Sequence, residues 1–423
     1  MLFHLKKRPP FFLLYLLLLS IVPMIGIGQN KALIKEGTWL GVIERTDGKE
    51  IPFSFNATLM NGRCIITFVN ATETIVVEDI QKIQKDSIVI TMPFFNASFE
   101  LALSKPNELS GYYIKTMNGK QTKAMFTAQW NKPRFIQYQK PKFNPTGTWD
   151  VLLTNLLTNK EIISVGNFNL QEDGSVTGSF LTPTGDYRFL EGLVSGDTLH
   201  LSAFDGERAV YFKGLFINDS TIANGSLTAG FGLNFSWHAK SNPKAVLPDE
   251  YAYSKMKPGN TKLDFSYKDT EGKVVSINDE KYKNKVVIVQ LFGSWCPNCM
   301  DETRFMTQFY QKNKVRGIEV IALAYENYED PKEVNTALKK YKKQFGINYP
   351  ILNTGVGPSD PLKAEKSLPQ LDKIAGYPST IFIDKKGEVR KIHTGFSGPG
   401  TGAFYITHIH SFNKLVDALV AEK

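Results

Sequence analysis

The sequence predicts a multidomain protein in which an all-β N-terminal region precedes a C-terminal α/β domain. Three observations predict it: the length, a change of hydrophobic pattern near residue 240, and a stretch containing several prolines at that change. The chain has 423 residues, and at about 100–200 residues per domain this suggests two to four domains. Hydrophobic residues make up 42% and charged residues 22%, a balance typical of chains that bury real cores.

Composition also excludes several classes of protein. The three cysteines, Cys64, Cys296 and Cys299, are too few for a disulfide-built scaffold or a four-cysteine zinc site. The net charge of +9 is not concentrated in a lysine and arginine block of the kind that binds nucleic acid. We therefore expect no nucleic-acid partner, no metal and no cofactor.

The N-terminus has the pattern of a targeting segment. Positive residues 6–8 precede an apolar run over residues 11–27, and small residues follow it. This pattern predicts a signal peptide over residues 1–28, cleaved between Gly28 and Gln29. The alternative is an uncleaved anchor, because about 18 apolar residues is the lower limit for a membrane span. Either way we expect an exported protein, working in the periplasm or cell envelope.

Residues 29–240 have the pattern of β structure. Short apolar or alternating runs, such as Cys64–Val69 and Ser87–Met92, are separated by turns rich in Asn, Asp and Gly. Cys64, inside one of these runs, is interpreted as a buried core thiol.

The β region contains an internal repeat. Gly37-Thr38-Trp39 recurs as Gly147-Thr148-Trp149, and each copy is followed by a strand that ends in tryptophan. We therefore predict one repeat over residues 29–140 and a second over 141–240. A Gly-x-Trp opening followed by evenly spaced strands resembles the lipocalin-like up-and-down barrels. A sandwich or sheet pair built from two duplicated units is an equal alternative.

Residues 241–258 are predicted to be a linker that makes few contacts with its neighbours, so that residues 259–423 would fold alone. In that last segment strands and helices alternate, which is typical of an α/β domain. Continuous apolar runs predict buried strands, and residues at helical spacing predict amphipathic helices. The strands are Val286–Phe292, Ile318–Ala324, Thr380–Ile383 and Val389–Ile392, and the helices are Met300–Gln311, Val334–Phe345 and His408–Ala421.

The motif that carries chemistry is Trp295-Cys296-Pro297-Asn298-Cys299, at the junction between a buried strand and a helix. Proline suits a first helical turn because it has no N–H to leave unpaired. Cys296 would face the positive end of the helix dipole, which stabilises a thiolate, so it is predicted to be the nucleophile. Cys299, one turn inside, would resolve the mixed disulfide by attacking Cys296. A zinc site would need two further ligands at a suitable spacing, and His408 and His410 do not provide them.

Residues 259–423 resemble the exported thioredoxin-like proteins of the TlpA and ResA type. The resemblance is carried by the strand leading into the Cys-Pro-Asn-Cys motif, by Gly376-Tyr377-Pro378-Ser379-Thr380, and by Gly387-Glu388-Val389. It implies that Pro378 is a cis-proline facing the disulfide, and that Trp295, Tyr377 and Pro378 contact the substrate. A proline there offers no N–H and leaves neighbouring backbone groups free to pair with an extended substrate segment.

Glu302 follows Cys299 by three residues and so shares its helix face. In ResA-like proteins a glutamate in this position tunes the thiols, whereas the simpler interpretation is a solvated carboxylate favoured by the helix dipole. The chain departs from thioredoxin at Gln290, where thioredoxin carries a buried aspartate. We therefore expect no acid on that strand to relay the proton of Cys299.

The leading hypothesis is an exported thiol–disulfide oxidoreductase with Cys296, Cys299, Glu302 and Pro378 in its site. The resemblance favours reduction of disulfides in other proteins, with a membrane electron donor restoring the dithiol. A second hypothesis makes the β repeats a module that binds a partner or ligand, with the redox domain as an accessory. A third, thiol peroxidase, is weakened because the usual Pro-x-x-x-Thr/Ser-x-x-Cys context is absent.

Overall fold

The computed structural model describes residues 34–84, 86–117 and 119–422. The predicted signal peptide, residues 1–28, lies outside the described residues. The described residues form one compact unit. Among the residues described, we find no helix that combines the length and the apolar character needed to cross a bilayer.

The first repeat forms one antiparallel sheet of nine strands, with β1 pairing with both β2 and β9. The sheet ends at β4 on one side and at β5 on the other, so it curves without closing. Its strands are β1 (Gly37–Glu44), β2 (Glu50–Met60), β3 (Arg63–Asn70), β4 (Glu73–Val77), β5 (Ile80–Gln84), β6 (Ser87–Thr91), β7 (Ala97–Lys105), β8 (Glu108–Met117) and β9 (Lys120–Trp130).

The second repeat forms another antiparallel sheet, in which β11 pairs with β12 as well as with β10. This extra pairing closes the sheet into a barrel. Its strands are β10 (Gly147–Asn155), β11 (Glu161–Leu170), β12 (Ser175–Thr182), β13 (Gly185–Asp186), β14 (Leu190–Ser195), β15 (Thr198–Phe204), β16 (Ala209–Asn218), β17 (Thr221–Ala229) and β18 (Leu233–Ser241). The prediction of two β units is confirmed, and one is a barrel while the other is an open half-barrel.

The repeated tryptophan has the same role in both units. Trp39 and Trp149 are buried on the first strand of each unit. Each indole Nε1 donates a hydrogen bond to the carbonyl oxygen four residues earlier, Lys35 and Pro145 respectively, at 2.9 Å. The repeat therefore anchors the segment that enters each sheet. Cys64, in contrast, is only half-buried on β3, so it is not the core thiol expected.

The C-terminal domain is built on a seven-stranded sheet in the order β20-β19-β23-β22-β21-β24-β25. Its central strands β21 and β22 are parallel and fully buried, over the same residues that the sequence predicted. Its elements are β19 (Ser266–Asp269), β20 (Val274–Ser276), β21 (Val286–Phe292), α1 (Pro297–Asn313), β22 (Ile318–Ala324), α2 (Pro331–Phe345), β23 (Ile351–Asn353), α3 (Lys363–Ser367), β24 (Ser379–Ile383), β25 (Val389–Thr394) and α4 (Ala403–Ala421). The predicted α/β domain is confirmed, and its helices begin three to five residues earlier than their apolar stripes suggested.

A hairpin of the barrel fills the open half-barrel. Phe204, at the end of β15, is fully buried and packs on Phe53, Phe68 and Phe99 of the first unit, with ring centroids 4.7 to 5.5 Å away. Its backbone N–H and C=O both bond to the side chain of Asn70, at 3.0 and 2.9 Å. The aromatic core of the first sheet is therefore completed by the second.

Arg188, in the turn between β13 and β14, joins the three sheets. Its guanidinium is buried and forms ion pairs with Glu73 of β4 and with Asp301 of α1. It also donates a hydrogen bond of 2.9 Å to the carbonyl oxygen of Pro297, inside the Cys-Pro-Asn-Cys motif. The barrel is therefore fastened to the half-barrel and to the first turn of α1 at one point.

The segment predicted to be a linker has more contacts than expected. The amide of Lys257 donates to Gln370 and the amide of Lys255 to Asp372, each at 2.8 Å, and Met256 forms a β-bridge with Leu371. The expectation of few contacts is therefore wrong, because this segment packs along the C-terminal domain.

Substitution of Arg188 tests how much this junction stabilises the protein. Arg188→Met leaves the largely buried carboxylate of Glu73 without its cation and leaves Asp301 with only the half-exposed Arg304. Breaking a buried ion pair by removing one partner costs about 3–5 kcal/mol. We expect a loss of that size in the free energy of unfolding, measured by urea denaturation. Arg304→Gln is the matched control, because Arg304 pairs with the same Asp301 but its side chain is 46% exposed, so its loss should stay below about 1 kcal/mol. Equal losses in the two variants would contradict the prediction.

Candidate active site

The two cysteines lie at the junction of β21 and α1. Cys296 is the N-cap of the helix, and its Sγ accepts the amide N–H of Cys299 at 3.2 Å. Pro297 occupies the first helical position, where its missing N–H costs nothing. Cys296 and Cys299 are joined in a disulfide. The local sequence thus places one sulfur at the positive end of the helix and the other one turn inside.

The two sulfurs differ in accessibility. Cys299 is 0% exposed and Cys296 is 4% exposed. Of the pair, only Cys296 lines a cavity, whose volume is about 420 Å³. An incoming group from this cavity therefore meets Cys296 first.

Of the three residues expected to contact the substrate, two line the cavity beside Cys296 and one does not. Trp295 and Tyr377 line the cavity, with their rings 5.9 Å apart and nearly perpendicular. The indole Nε1 of Trp295 is held by the carbonyl oxygen of Tyr325 at 2.8 Å. The Tyr377–Pro378 peptide bond is cis, and the Tyr377 carbonyl oxygen lies 3.7 Å from Cys296 Sγ. Pro378 itself is buried and is not among the residues lining the cavity.

Glu302 is buried behind the disulfide, at 2% exposure. Its carboxylate accepts hydrogen bonds from Thr380 Oγ1 at 2.6 Å and from Gln290 Nε2 at 2.8 Å. Burial raises the pKa of Glu302 to about 7, although these two hydrogen bonds act in the opposite direction. The solvated carboxylate considered from the sequence is therefore excluded. Gln290, where thioredoxin has its acid, instead orients an acid supplied by the helix.

A second buried acid, Glu326, was not predicted from the sequence. Glu326, two residues past the end of β22, is 5% exposed. It accepts the backbone N–H and the hydroxyl of Ser294, both at 2.7 Å, and burial raises its pKa to about 7. Ser294 directly precedes Trp295, so this carboxylate fixes the loop that enters the redox motif. The one feature of the sequence that could have indicated a role for Glu326 is its position just after a buried strand.

The barrel covers the face of the motif that would otherwise meet solvent. Asn298 is buried, and its Nδ2 donates to the carbonyl oxygen of Asp186 at 3.2 Å. The turn between β12 and β13 also packs against the loop that carries Pro378. There a methyl group on Gly376 would lie 3.1 Å from the side chain of Thr184. None of these contacts could be predicted, because they join residues more than a hundred positions apart.

The cavity above Cys296 has walls from all three sheets. We call it the disulfide cavity and define it by the lining residues Lys115, Glu207, Arg208, Phe231, Cys296 and Tyr377. Lys115 belongs to the half-barrel, Arg208 to the barrel and Tyr377 to the C-terminal domain. The route to the disulfide is therefore shaped by the β region as well as by the redox domain.

One group of side chains away from the disulfide has the composition of a metal site. Glu250, His393 and His408 bring one potential ligand atom each to within 4.8 Å of one another. From the sequence, metal binding by His408 was not expected, because His410 lies two residues away and diverges from it on a helix. The partners come from the predicted linker and from β25, which sequence spacing cannot reveal.

Comparison with known proteins agrees with the geometry of the redox motif. The Redoxin family matches residues 257–403. The chain is 31% identical over 135 residues to the thiol-disulfide oxidoreductase ResA of Bacillus thuringiensis subsp. konkukian, covering 32% of this chain and 68% of that one. It is 26% identical over 137 residues to ResA of Bacillus subtilis, covering 32% of this chain and 67% of that one.

Among solved structures, a thiol:disulfide interchange protein of the thioredoxin family from Chlorobium tepidum is 23% identical. That match covers 40% of this chain and 100% of the other, with a TM-score of 0.29. The curated relatives decide the assignment, because the match at 31% identity spans more than two thirds of the ResA chain. Through its C-terminal domain, this protein belongs to the ResA family of thioredoxin-like thiol-disulfide oxidoreductases.

Proposed function

We propose that this thiol-disulfide oxidoreductase is exported and reduces disulfides of other proteins through Cys296 and Cys299. The observation that carries the proposal is the asymmetry of the pair: Cys296 lies at the helix N-terminus and lines the cavity, whereas Cys299 is fully buried. A helix N-terminus stabilises a thiolate, which is the reactive form of the thiol. The arrangement supports attack by the first cysteine and resolution by the second.

In the proposed cycle the reduced enzyme starts with two thiols. The Cys296 thiolate attacks one substrate sulfur, an enzyme–substrate S–S bond forms, the substrate S–S bond breaks, and the leaving thiolate takes up a proton. Cys299 then loses its proton and attacks Cys296 Sγ, which forms the internal disulfide and releases the second substrate thiolate. Two electrons pass to the substrate, and a dithiol donor must return them.

Glu302 is proposed to accept the proton of Cys299 in the second step. Its position one helical turn beyond Cys299, its burial and a pKa of about 7 suit a group that exchanges a proton near neutrality. In this proposal Trp295 and Tyr377, which line the cavity, contact the substrate around Cys296, and the buried Pro378 positions the backbone of Tyr377. The Tyr377 carbonyl oxygen lies 3.7 Å from Cys296 Sγ, which supports the role of Tyr377.

Export to the periplasm or cell envelope and re-reduction by a membrane dithiol donor complete the proposal. The support for export is the N-terminal pattern of positive residues, apolar run and small residues in the sequence. The support for a donor is the chemistry of the cycle, because each turnover leaves the enzyme oxidised. Protein disulfides as substrates follow from membership in the oxidoreductase family.

The direction of electron flow is tested by the reduction potential of the Cys296–Cys299 couple, titrated against glutathione. A reductase should have a potential near that of thioredoxin, about −270 mV, because its dithiol must be a stronger reductant than its substrates. Cys296→Ser, which cannot form the disulfide, is the control for the spectroscopic signal. A value near −120 mV, which is typical of a strong oxidase, would contradict the proposed direction.

The order of attack is tested by trapping. Cys299→Ser should leave Cys296 able to form mixed disulfides but unable to resolve them, so that substrates accumulate as covalent adducts. Adducts would be detected on non-reducing gels and identified by mass spectrometry. Cys296→Ser is the matched control and should trap little. Adducts that form mainly with Cys296→Ser would reverse the assignment of the nucleophile.

Glu302→Gln should change the second half of the cycle and its pH dependence. A base must be ionised to accept a proton, so resolution in the unsubstituted protein should accelerate as pH rises through about 7, the pKa of Glu302. Without the carboxylate this inflection should disappear, and resolution at pH 7 should slow by about ten-fold or more. The apparent pKa of the thiol pair should fall, because a negative charge that opposes the thiolate is gone. Initial attack by Cys296 should change little.

Stopped-flow single-turnover reduction of a model disulfide, measured from pH 5 to 9, would follow both steps. Glu326→Gln is the matched control, since Glu326 is equally buried and its pKa is also about 7, but it bonds Ser294 rather than groups beside Cys299. If the inflection vanished in Glu326→Gln and persisted in Glu302→Gln, the proton acceptor would be Glu326.

A further inference from the structure

The disulfide cavity restricts what can reach Cys296. Pro297 and Asn298, the residues between the two cysteines, are both buried, so a flat protein surface cannot lie across the motif. The remaining opening is the cavity of about 420 Å³, which is within the range of about 300–1,000 Å³ that holds small ligands. A disulfide that reaches Cys296 must therefore be small or be carried on a narrow segment.

Among the described residues that line the cavity, one cation forms no salt bridge. Lys115 forms an ion pair with Glu207, so these two neutralise each other. The carboxylate of Asp186 accepts the backbone amides of Arg188 and Gly398, both at 2.6 Å, and is turned into the protein. Arg208 is the cation that remains.

Arg208 lines the cavity and forms no salt bridge with an acid in the part of the chain that the structure describes, although its charge acts on the buried carboxylate of Asp205. Its guanidinium lies over the ring of Tyr187, 5.6 Å from the ring centroid. Asp205, its nearest acid along the chain, accepts the backbone N–H of Arg208 at 2.6 Å rather than its side chain. Nε of Arg208 is buried without a hydrogen-bond partner within residues 34–84, 86–117 and 119–422. A buried guanidinium N–H that lacks an acceptor favours a ligand that brings one.

We propose that the disulfide cavity selects disulfides that carry a carboxylate close to the sulfur, and that Arg208 binds this carboxylate. This inference rests on the proposed function and adds a substrate class to it. The reaction is the one described above: Cys296 displaces one substrate thiolate, and Cys299 releases the other. Two sources share the required chemistry, a small disulfide such as glutathione disulfide and an extended peptide segment with an acidic residue beside its cysteine.

The test uses the full chain, reduced with dithiothreitol and then freed of it. Oxidation in single turnovers is followed through the change in total tryptophan fluorescence, to which Trp295 beside the disulfide contributes. The probes are glutathione disulfide, the neutral 2-hydroxyethyl disulfide, and two linear peptide disulfides that differ only in Asp or Lys beside each cysteine. The measured quantity is the ratio of second-order rate constants for the Asp and Lys peptides. Because it is a ratio, partial loss of folded protein cancels.

We expect the unsubstituted protein to prefer the Asp peptide by about ten-fold or more, the effect of one charge-assisted hydrogen bond. Arg208→Gln should bring the ratio close to one, and Arg208→Lys should retain part of the preference because it keeps the charge. Arg63→Gln, which removes a positive charge from an exposed position on β3, is the matched control and should leave the ratio unchanged.

Equal rates for the two peptides, or a preference that survives in Arg208→Gln, would overturn the inference. Loss of glutathione disulfide reduction in Arg208→Gln would support it and identify a small molecule as one source. If the protein reduces 2-hydroxyethyl disulfide but shows no preference between the Asp and Lys peptides, the proposed function stands and this inference is overturned. If the protein reduces none of the four probes, the proposed function itself is contradicted.

Discussion

The buried guanidinium of Arg188 is the interaction on which the arrangement of the site depends. It neutralises carboxylates from the half-barrel and from α1, and it also holds a carbonyl oxygen between the two cysteines. These partners stabilise the buried cation and are stabilised by it. A buried charge that loses its partner has neither solvent nor a counterion to replace it. The position of the barrel above the disulfide is therefore fixed by a requirement of charge compensation, at the same residues that carry the chemistry.

This junction changes what a thioredoxin-like surface offers to a substrate. The turn between β12 and β13 packs against the motif and against the loop with Pro378, and Cys296 lines the disulfide cavity. Reactivity and access are thus divided between domains. In the proposals above, the helix N-terminus and Glu302 determine how the thiols behave, while the β region determines which groups approach them.

The sequence predicted the elements of the redox domain well, because their signals are local. The strands Val286–Phe292 and Ile318–Ala324 are continuous apolar runs, and burial on both faces is what produces such runs. It also predicted two β units but not that one closes and the other stays open, since closure depends on one extra strand pairing. The ion pairs around the site were not predicted. Arg188 and Asp301, for example, are 113 positions apart, and nothing in the sequence near either residue indicates that it pairs with the other.

The insertion of Phe204 into the half-barrel has a consequence for the order of events when the chain is made. The nine strands of the first sheet are complete at Trp130, but the ring that finishes their core emerges about 70 residues later. At roughly 5–20 residues per second, that delay is about 4–15 seconds. During this interval Phe53, Phe68 and Phe99 form an unfinished core facing water. Because these rings are exposed, the newly synthesised chain passes through a stage in which it is prone to aggregate and in which a holdase chaperone can bind it.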